Sequence, residues 1–405
     1  MKRHQAGLGF IFVTLFIDIL GFGLIVPILP QLIASLSHGN VAAAARYYGW
    51  FLAVYGAMQF VASPVLGSLS DQWGRRPVLL LSLFTTGIDY IVMAVAPTVG
   101  WLFVGRTISG ITGASFTAAN AYIADVSPPE KRAQNFGLVG GAFALGFILG
   151  PAIGGLLGEI GPRVPFMAAA GLALVNWLYG FFVLPESLAV ENRRVFSWRR
   201  SSPIASFGIL ARFPIVLGLT VATVLSGLGQ QALQSTWVLY NSYRFRWTSA
   251  QNGLSLAAVG LLAGIVQAGL MRTLVARFGE KRLVLIGLGS SASSLALYGM
   301  ATAGWMMYAI LIVGAMGFVG GPVIQGLISK QYGPDEQGAA QGALSGLVSL
   351  TGIVGPLVST ALFGYFVSKA APVRVPGAAF FFGAVLSFSG FVAAAIALRA
   401  RPIKS

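Results

Sequence analysis

From one end to the other the chain repeats a single pattern: an apolar run long enough to cross a bilayer, then a short polar break. A spanning helix needs about 20 mostly apolar residues. Runs of that length lie at 8–34, 46–69, 77–97, 100–125, 134–158 and 164–185. After a polar stretch they resume at 213–238, 250–273, 281–301, 304–329, 338–367 and 376–398. In hydrocarbon each backbone N–H and C=O must find a partner within the protein, and runs this long satisfy that as helices. The pattern predicts an all-α membrane protein with twelve transmembrane helices.

Composition excludes the alternatives. Only 9% of residues are charged and the mean hydropathy is +0.80, against about 25% charged in soluble domains. Such a chain cannot cover a water-facing surface, so its solvent is the lipid bilayer. The net charge of +15 raises nucleic acid as a partner, but the basic residues sit in short clusters between apolar runs, and no nucleic-acid partner is expected. With both termini inside, 19 of the 26 Lys and Arg fall on inner segments and 6 on outer loops, leaving Arg106 alone within a span. That excess sets the orientation, with both termini cytoplasmic.

The chain has no cysteine and only two histidines, His4 and His38. Disulfides, thiolate chemistry and a His-based metal site are not expected. No nucleophile–base constellation points to an enzyme. No GxxxxGK[ST] loop points to ATP drive. The first apolar run is longer than a signal-peptide core and reads as the first span.

The one long charged interruption, 186–212, holds Glu186, Glu191, Arg193, Arg194, Arg199, Arg200 and Arg212. It reads as a cytoplasmic linker between an N-terminal six-helix bundle, 1–185, and a C-terminal one, 213–405. A constant offset of 205 relates these halves in three places. Gly74 in "QWGRRPVLL" matches Gly279 in "RFGEKRLVL". "PEKRAQNFG", Pro129 to Gly137, matches "PDEQGAAQG", Pro334 to Gly342. Gly150-Pro151 matches Gly355-Pro356. Shared Gly and Pro bias explains one match, but not three in register. Paired halves with a site at their interface are a transporter plan, which neither a channel nor a membrane enzyme requires.

After the second span comes "GSLSDQWGRRP", Gly67 to Pro77, which reads as a short turn with glycine at both ends and an acid and two arginines on the inner side. The charge rule accounts for Arg75 and Arg76 but not for Gly67, Asp71 and Gly74 at these spacings. The segment resembles the signature loop of the major facilitator superfamily. Further stretches agree: "DILGFGLIVPILP" from Asp18 to Pro30, "RTISGITG" from Arg106 to Gly113, and "GFILGPAIGG" from Gly146 to Gly155. The last is similar to the Gly-Pro motif of the drug/proton antiporter branch. Within it the chain most resembles tetracycline-resistance efflux proteins, as in "SDQWGRRPVLLLSLFTTGIDY", "GRTISGITGA" and "QGALSGLVSLTGIVGPL". It departs from them at Ser291 and Ala263, where those exporters usually carry an acid and often a histidine. The second half therefore has no acid within a span.

An ionisable group in hydrocarbon is costly and so becomes a functional candidate. Asp18 and Asp89 read as proton carriers, because protonation removes the charge that lipid penalises. The structural alternative for Asp18 is a pair with Arg106, and Asp89 is open between the two roles. Arg106 is placed in the inner-to-middle run of the fourth span, and the resemblance gives it a part in proton transfer. The resemblance also implies a cytoplasmic gate of Asp71, Arg75 and Asp125, with Gly67 and Gly74, in which Arg75 pairs with Asp125 and Asp71 faces a helix N-terminus. Such an acid is favourable by about 0.3–1 kcal/mol.

Amides within spans, namely Gln59, Asn120, Gln231, Gln267 and Gln325, serve either as cavity lining or as helix-to-helix glue at about 0.6 kcal/mol. Trp237 and Tyr240 read as interfacial anchors. Gly146, Gly150, Pro151 and Gly155 permit close helix approach and a bend.

The resemblance implies proton-coupled efflux of a hydrophobic drug-like compound, tetracycline or a relative, from the bacterial cytoplasmic (inner) membrane, by a chain functional as a monomer. The alternative is a proton-coupled transporter of another small metabolite or drug. No cofactor is expected. Protons are the coupling ion, and a divalent metal enters only as part of a chelated substrate.

Overall fold

The computed structural model describes residues 2–113, 115–128, 132–194 and 204–399. Among these the protein is helical, with no strand. The helices of the first half are α1 (Lys2–Ile25), α2 (Leu29–Leu36), α3 (Val41–Trp73), α4 (Arg75–Val95), α5 (Val99–Thr112), α6 (Ser115–Val126), α7 (Arg132–Ile160) and α8 (Val164–Val183). Those of the second half are α9 (Pro214–Phe245), α10 (Ser249–Gly264), α11 (Met271–Phe278), α12 (Glu280–Met300), α13 (Gly304–Gly314), α14 (Gly317–Ser329), α15 (Pro334–Val367) and α16 (Ala378–Arg399).

Ten of the resulting segments are long and apolar enough to span alone. An eleventh is the pair α1–α2, bent by 43°, where Pro27 and Pro30 remove backbone donors. The expected fourth span is divided between α5 and α6 on either side of Gly113 and the undescribed Ala114, which completes the twelve. A π-helical stretch, Ile265–Leu270, joins α10 to α11.

Two expectations need correcting. The segment from Gly67 is not a turn with two glycine ends. α3 runs on through Gly67 to Trp73, and Gly74 alone reverses the chain, at φ 107°. A side chain in that left-handed region is strained, so glycine is required there. Gly279, its partner at offset 205, does the same at φ 73°. Trp237 and Tyr240 are not interfacial anchors, since they are only 2% and 1% exposed. Tyr240 donates its hydroxyl to the Tyr298 carbonyl at 3.0 Å, and its ring lies 4.8 Å from Phe380. Packing on α12 and α16 satisfies both the ring and its polar tip.

The chain forms two compact units. One comprises Met1–Gly39, Val54–Ser202 and Trp247–Gly260; the other comprises Asn40–Ala53, Pro203–Arg246 and Leu261–Ser405. The main division, at Ser202/Pro203, falls within the charged stretch 186–212. Each unit also holds one segment from the other half of the sequence. The two exchanged segments are the starts of α3 and α10, which stand at nearly the same offset of 205.

Small residues make this close packing. In the first unit a Cβ on Gly150 would lie 2.7 Å from Gly23 Cα, and one on Gly155 would lie 3.0 Å from Gly253 Cα. In the second, one on Gly49 would lie 3.0 Å from the Pro356 carbonyl. The first unit is centred on Phe10, Leu15, Val78, Leu79, Tyr122 and Ile123. The second is centred on Leu219, Leu283, Val284, Val319, Ile328 and Ala340.

Candidate functional site

Two groups of charged residues stand out within the first unit. The first gathers on α1, α3, α4 and α5. Asp89 is 1% exposed and Arg106 is 4% exposed. The Asp89 carboxylate reaches α5 where Gly105 leaves room for it, so close that a Cβ at 105 would collide with Oδ1. It faces Ser109 and lies in the field of Arg106.

Arg106 places its Cζ 5.2 Å from the ring centroid of Tyr55 on α3 and donates to Met93 Sδ at 3.7 Å. Asp18, half-buried on α1, is within electrostatic reach of Tyr55 and Tyr90, as are Asp89 and Arg106. The Tyr90 ring rests on α1 itself, 3.5 Å from where a Cβ on Gly21 would be.

The three residues read from sequence as proton-coupling candidates thus come from three helices into one neighbourhood. One placement differs from expectation. Arg106 stands about two turns into α5, toward the end of the fourth span away from Asp125, because it follows the α5 N-terminus at Val99 so closely.

The amides divide. Gln59 joins this group, donating to the Gly113 carbonyl at 3.2 Å. Asn120 is exposed on α6, and Gln267 is exposed within the π-helical stretch. Gln231 packs on α15, its Cβ filling the space that Gly355 leaves. Gln325 donates to Gln341 Oε1 at 2.8 Å, tying α14 to α15. Ser291 lies against Gly317. Ala263 stands two residues before the π-helical stretch, which the periodicity did not reveal although Gly264 precedes it and Gly269 lies within it.

The second charged group closes the α3–α4 corner. Arg75, its side chain 10% exposed, pairs with Asp71 at 2.6 Å and with Asp125 at 3.1 Å. It also donates to Ser70 Oγ at 2.8 Å. Asp125 further accepts from Ser187 at 3.0 Å.

The residue that sequence reasoning left in the linker is Glu186. One of its oxygens accepts the Arg75 N–H at 2.8 Å, and the other accepts the Arg76 N–H at 3.2 Å. The first also accepts from Ser187 and Leu188 N–H at 3.0 and 3.1 Å. Glu186 therefore caps the N-terminus of α4, where free N–H groups and the helix dipole favour a carboxylate. Gly74 is needed twice over here, since a Cβ would also strike this carboxylate.

Applying the repeat offset to Arg75 and Asp125 gives Glu280 and Lys330, and these two pair at 2.6 Å. The second half thus keeps the ion pair with its polarity reversed. The signal was in the sequence, since both partners follow from the offset that relates Gly74 to Gly279.

Gly146, Gly150, Pro151 and Gly155 lie along α7, which continues unbroken through Pro151. Gly146 and Gly150 seat α1, at Ile19 and Gly23, and Gly155 seats α10. Among the described residues no group of three or more His, Cys, Asp or Glu is placed to hold a metal.

The family model for the Major Facilitator Superfamily matches residues 11–318 and again 219–405. The chain is 42% identical over 363 residues to the class C tetracycline resistance protein of Escherichia coli, covering 90% of this chain and 91% of that one. It is 38% identical to the class D tetracycline resistance protein of Salmonella ordonez, covering 86% and 87%. Its fold matches the crystal structure of the human organic anion transporter MFSD10 (TETRAN) with a TM-score of 0.70 at 24% identity, over 96% of this chain and 99% of that one. Twelve spanning segments, a repeat that carries glycine turns and ion pairs at one offset, and a family match along nearly the whole length lead to one conclusion: this chain is a member of the major facilitator superfamily.

Proposed function

We propose that the protein exports a hydrophobic, drug-like compound, tetracycline or a related antibiotic, in exchange for protons by alternating access. The observation that carries this reading is the convergence of Asp18, Asp89 and Arg106 from α1, α4 and α5. Two acids and one guanidinium in a poorly solvated setting form a group whose net charge changes with each proton taken up. The relatives' names, tetracycline resistance proteins, supply the substrate class.

Substrate and proton favour different states of one equilibrium, so each drives the other. The protein works as a monomer in the bacterial inner membrane with both termini cytoplasmic, and uses no cofactor. It acts as a transporter and catalyses no covalent step. Asp71, Arg75 and Asp125 act as a gate at the α3–α4 corner, with Gly74 turning its backbone and Glu186 holding α4 in place. The amides Gln59, Asn120, Gln231, Gln267 and Gln325 contact cargo or tie helices. Gly146, Gly150, Pro151 and Gly155 provide the close packing on which movement turns.

Ser291 and Ala263 favour a second reading of the cargo. Without the acid and the histidine of the second half, an uncharged drug or another small metabolite fits better than a metal-chelated one.

The test is tetracycline accumulation in everted vesicles under an imposed pH gradient. Asp18→Asn and Asp89→Asn are each expected to abolish gradient-driven accumulation at normal membrane abundance. Accumulation at the parent rate in both variants refutes the proton-coupling assignment.

A further inference from the structure

The "GRTISGITG" segment, Gly105 to Gly113, presents two faces of α5, and they do different things. Gly105 and Ser109, four residues apart, face Asp89. Arg106, Gly110 and Gly113, at i, i+4 and i+7, share the other face, and all three meet Tyr55. A Cβ on Gly110 would lie 2.9 Å from the Tyr55 carbonyl and 3.4 Å from its Cα. One on Gly113 would lie 3.4 Å from the Tyr55 hydroxyl. The two glycines thus form a seat for Tyr55, main chain at one and hydroxyl at the other, and the ring then lies over the Arg106 guanidinium at 5.2 Å. Gln59, one turn along α3, shares a hydrogen bond with the Tyr55 side chain while holding the Gly113 carbonyl.

We propose that Tyr55 is a positioning residue for proton coupling: its ring face holds the Arg106 guanidinium within reach of Asp18 and Asp89. This rests on the reading of those acids as proton carriers. A ring attracts a guanidinium from above its plane, while the N–H donors lie in the plane. Arg106 can therefore keep its place on the ring and still turn donors toward a carboxylate when that carboxylate is charged. Protonation removes the pull and leaves the ring as the resting partner. Because Tyr55 belongs to α3 and Arg106 to α5, the proton count on the acids is transmitted to the contact between those two helices.

The test is infrared titration of the buried carboxyl band in the full chain in lipid nanodiscs, with no drug present. D18N and D89N assign the band. An Arg106 no longer held by the ring spends less time at the carboxylates, and their charged form loses that support. Y55L is expected to move the titration midpoint to higher pH by about one unit, which is about 1.4 kcal/mol. Y55F keeps the ring and is expected to titrate like the parent. Y55M carries the same test should Y55L not purify as a folded protein.

Parent-like titration in Y55L or Y55M overturns the assignment of Tyr55 and leaves the proton reading standing. A shift in Y55F equal to that in Y55L also overturns it, since the hydroxyl and not the ring face is then responsible. A parent protein whose band does not respond to D18N or D89N overturns the proton reading, and this inference with it.

Discussion

At Gly74 and Gly279 the backbone makes the same left-handed turn between two long helices, at φ 107° and φ 73°, yet the surroundings of the two turns differ. Beside Gly74, Arg75 is nearly buried and holds Asp71, Asp125 and Ser70 at once, while Glu186 caps the helix that follows. Beside Gly279 the described residues form one ion pair, Lys330–Glu280, with side chains 61% and 34% exposed. Among the described residues no side chain stands within 4 Å of where a Cβ on Gly279 would be. The repeat has preserved the turn and the pairing positions, and has let the charges reverse and the network shrink. A turn geometry is dictated by the backbone and must persist. A charge pair needs only opposite signs, so its polarity is free to drift when both partners change together.

The comparison breaks first at Arg75. Arg75→Ala leaves Asp71 and Asp125 facing each other's field with no cation between them. Removing one partner of a buried pair costs about 3–5 kcal/mol. Asp125 is 22% exposed, so water relieves part of this and about 3 kcal/mol is expected. The thermal unfolding midpoint in detergent is expected to fall sharply and drug resistance to disappear. Equal losses from Arg75→Ala and Lys330→Ala would show that the two corners carry the same weight.

A smaller effect separates the two glycines. Gly279→Ala meets open space, so its cost is the left-handed conformation alone, about 1–2 kcal/mol. Gly74→Ala bears that cost and also drives a methyl into the Glu186 carboxylate, loosening a cap worth about 1 kcal/mol. The excess of Gly74→Ala over Gly279→Ala is therefore expected to be about 1 kcal/mol, read as the difference in unfolding midpoint. In a Glu186→Ala background that excess is expected to vanish, because neighbours that share a contact are not additive. An excess that survives removal of Glu186 would place its origin in the backbone instead.

What could be read in the sequence follows the range of the interaction. The spanning segments were legible because hydrophobic length is a local property, and the helices begin and end within a few residues of the apolar runs. The break at Pro27 and Pro30 is local too, but the apolar run continues through it and hides it. Gly67 was misread because glycine permits a turn without demanding one, and only Gly74 has a φ that demands it. Glu186 was missed because its partners lie 110 and 111 residues away in the chain, and nothing in "PES" announces a cap for a distant helix. Asp18, Asp89 and Arg106 were legible as a set because charge in an apolar run is rare, whereas Tyr55 is one aromatic among many and only the glycine seat on α5 singles it out. The exchanged starts of α3 and α10 depend on glycine contacts such as Gly155 with Gly253, which no periodicity records.

The smallest effect belongs to the reversed pair, and it tests whether the second corner is held by charge at all. Both side chains are partly wet, so the pair is worth about 0.2–1 kcal/mol. Its charges are open to counterions, whose screening length is about 10 Å at 0.1 M and 3 Å at 1 M salt. Glu280→Gln is expected to lower the unfolding midpoint slightly at low salt and not at all at 1 M. The double reversal Glu280→Lys with Lys330→Glu restores opposite signs at the same two positions and is expected to return to the parent value at every salt concentration. The matching reversal at the first corner, Arg75→Asp with Asp125→Arg, is expected to fail. A carboxylate at position 75 faces Asp71 and has no fork of donors for Ser70. Recovery at Gly279 without recovery at Gly74 would show that one corner needs only a sign and the other needs a guanidinium. Recovery at both would reduce Arg75 to a plain positive charge, and the difference between the corners to one of burial.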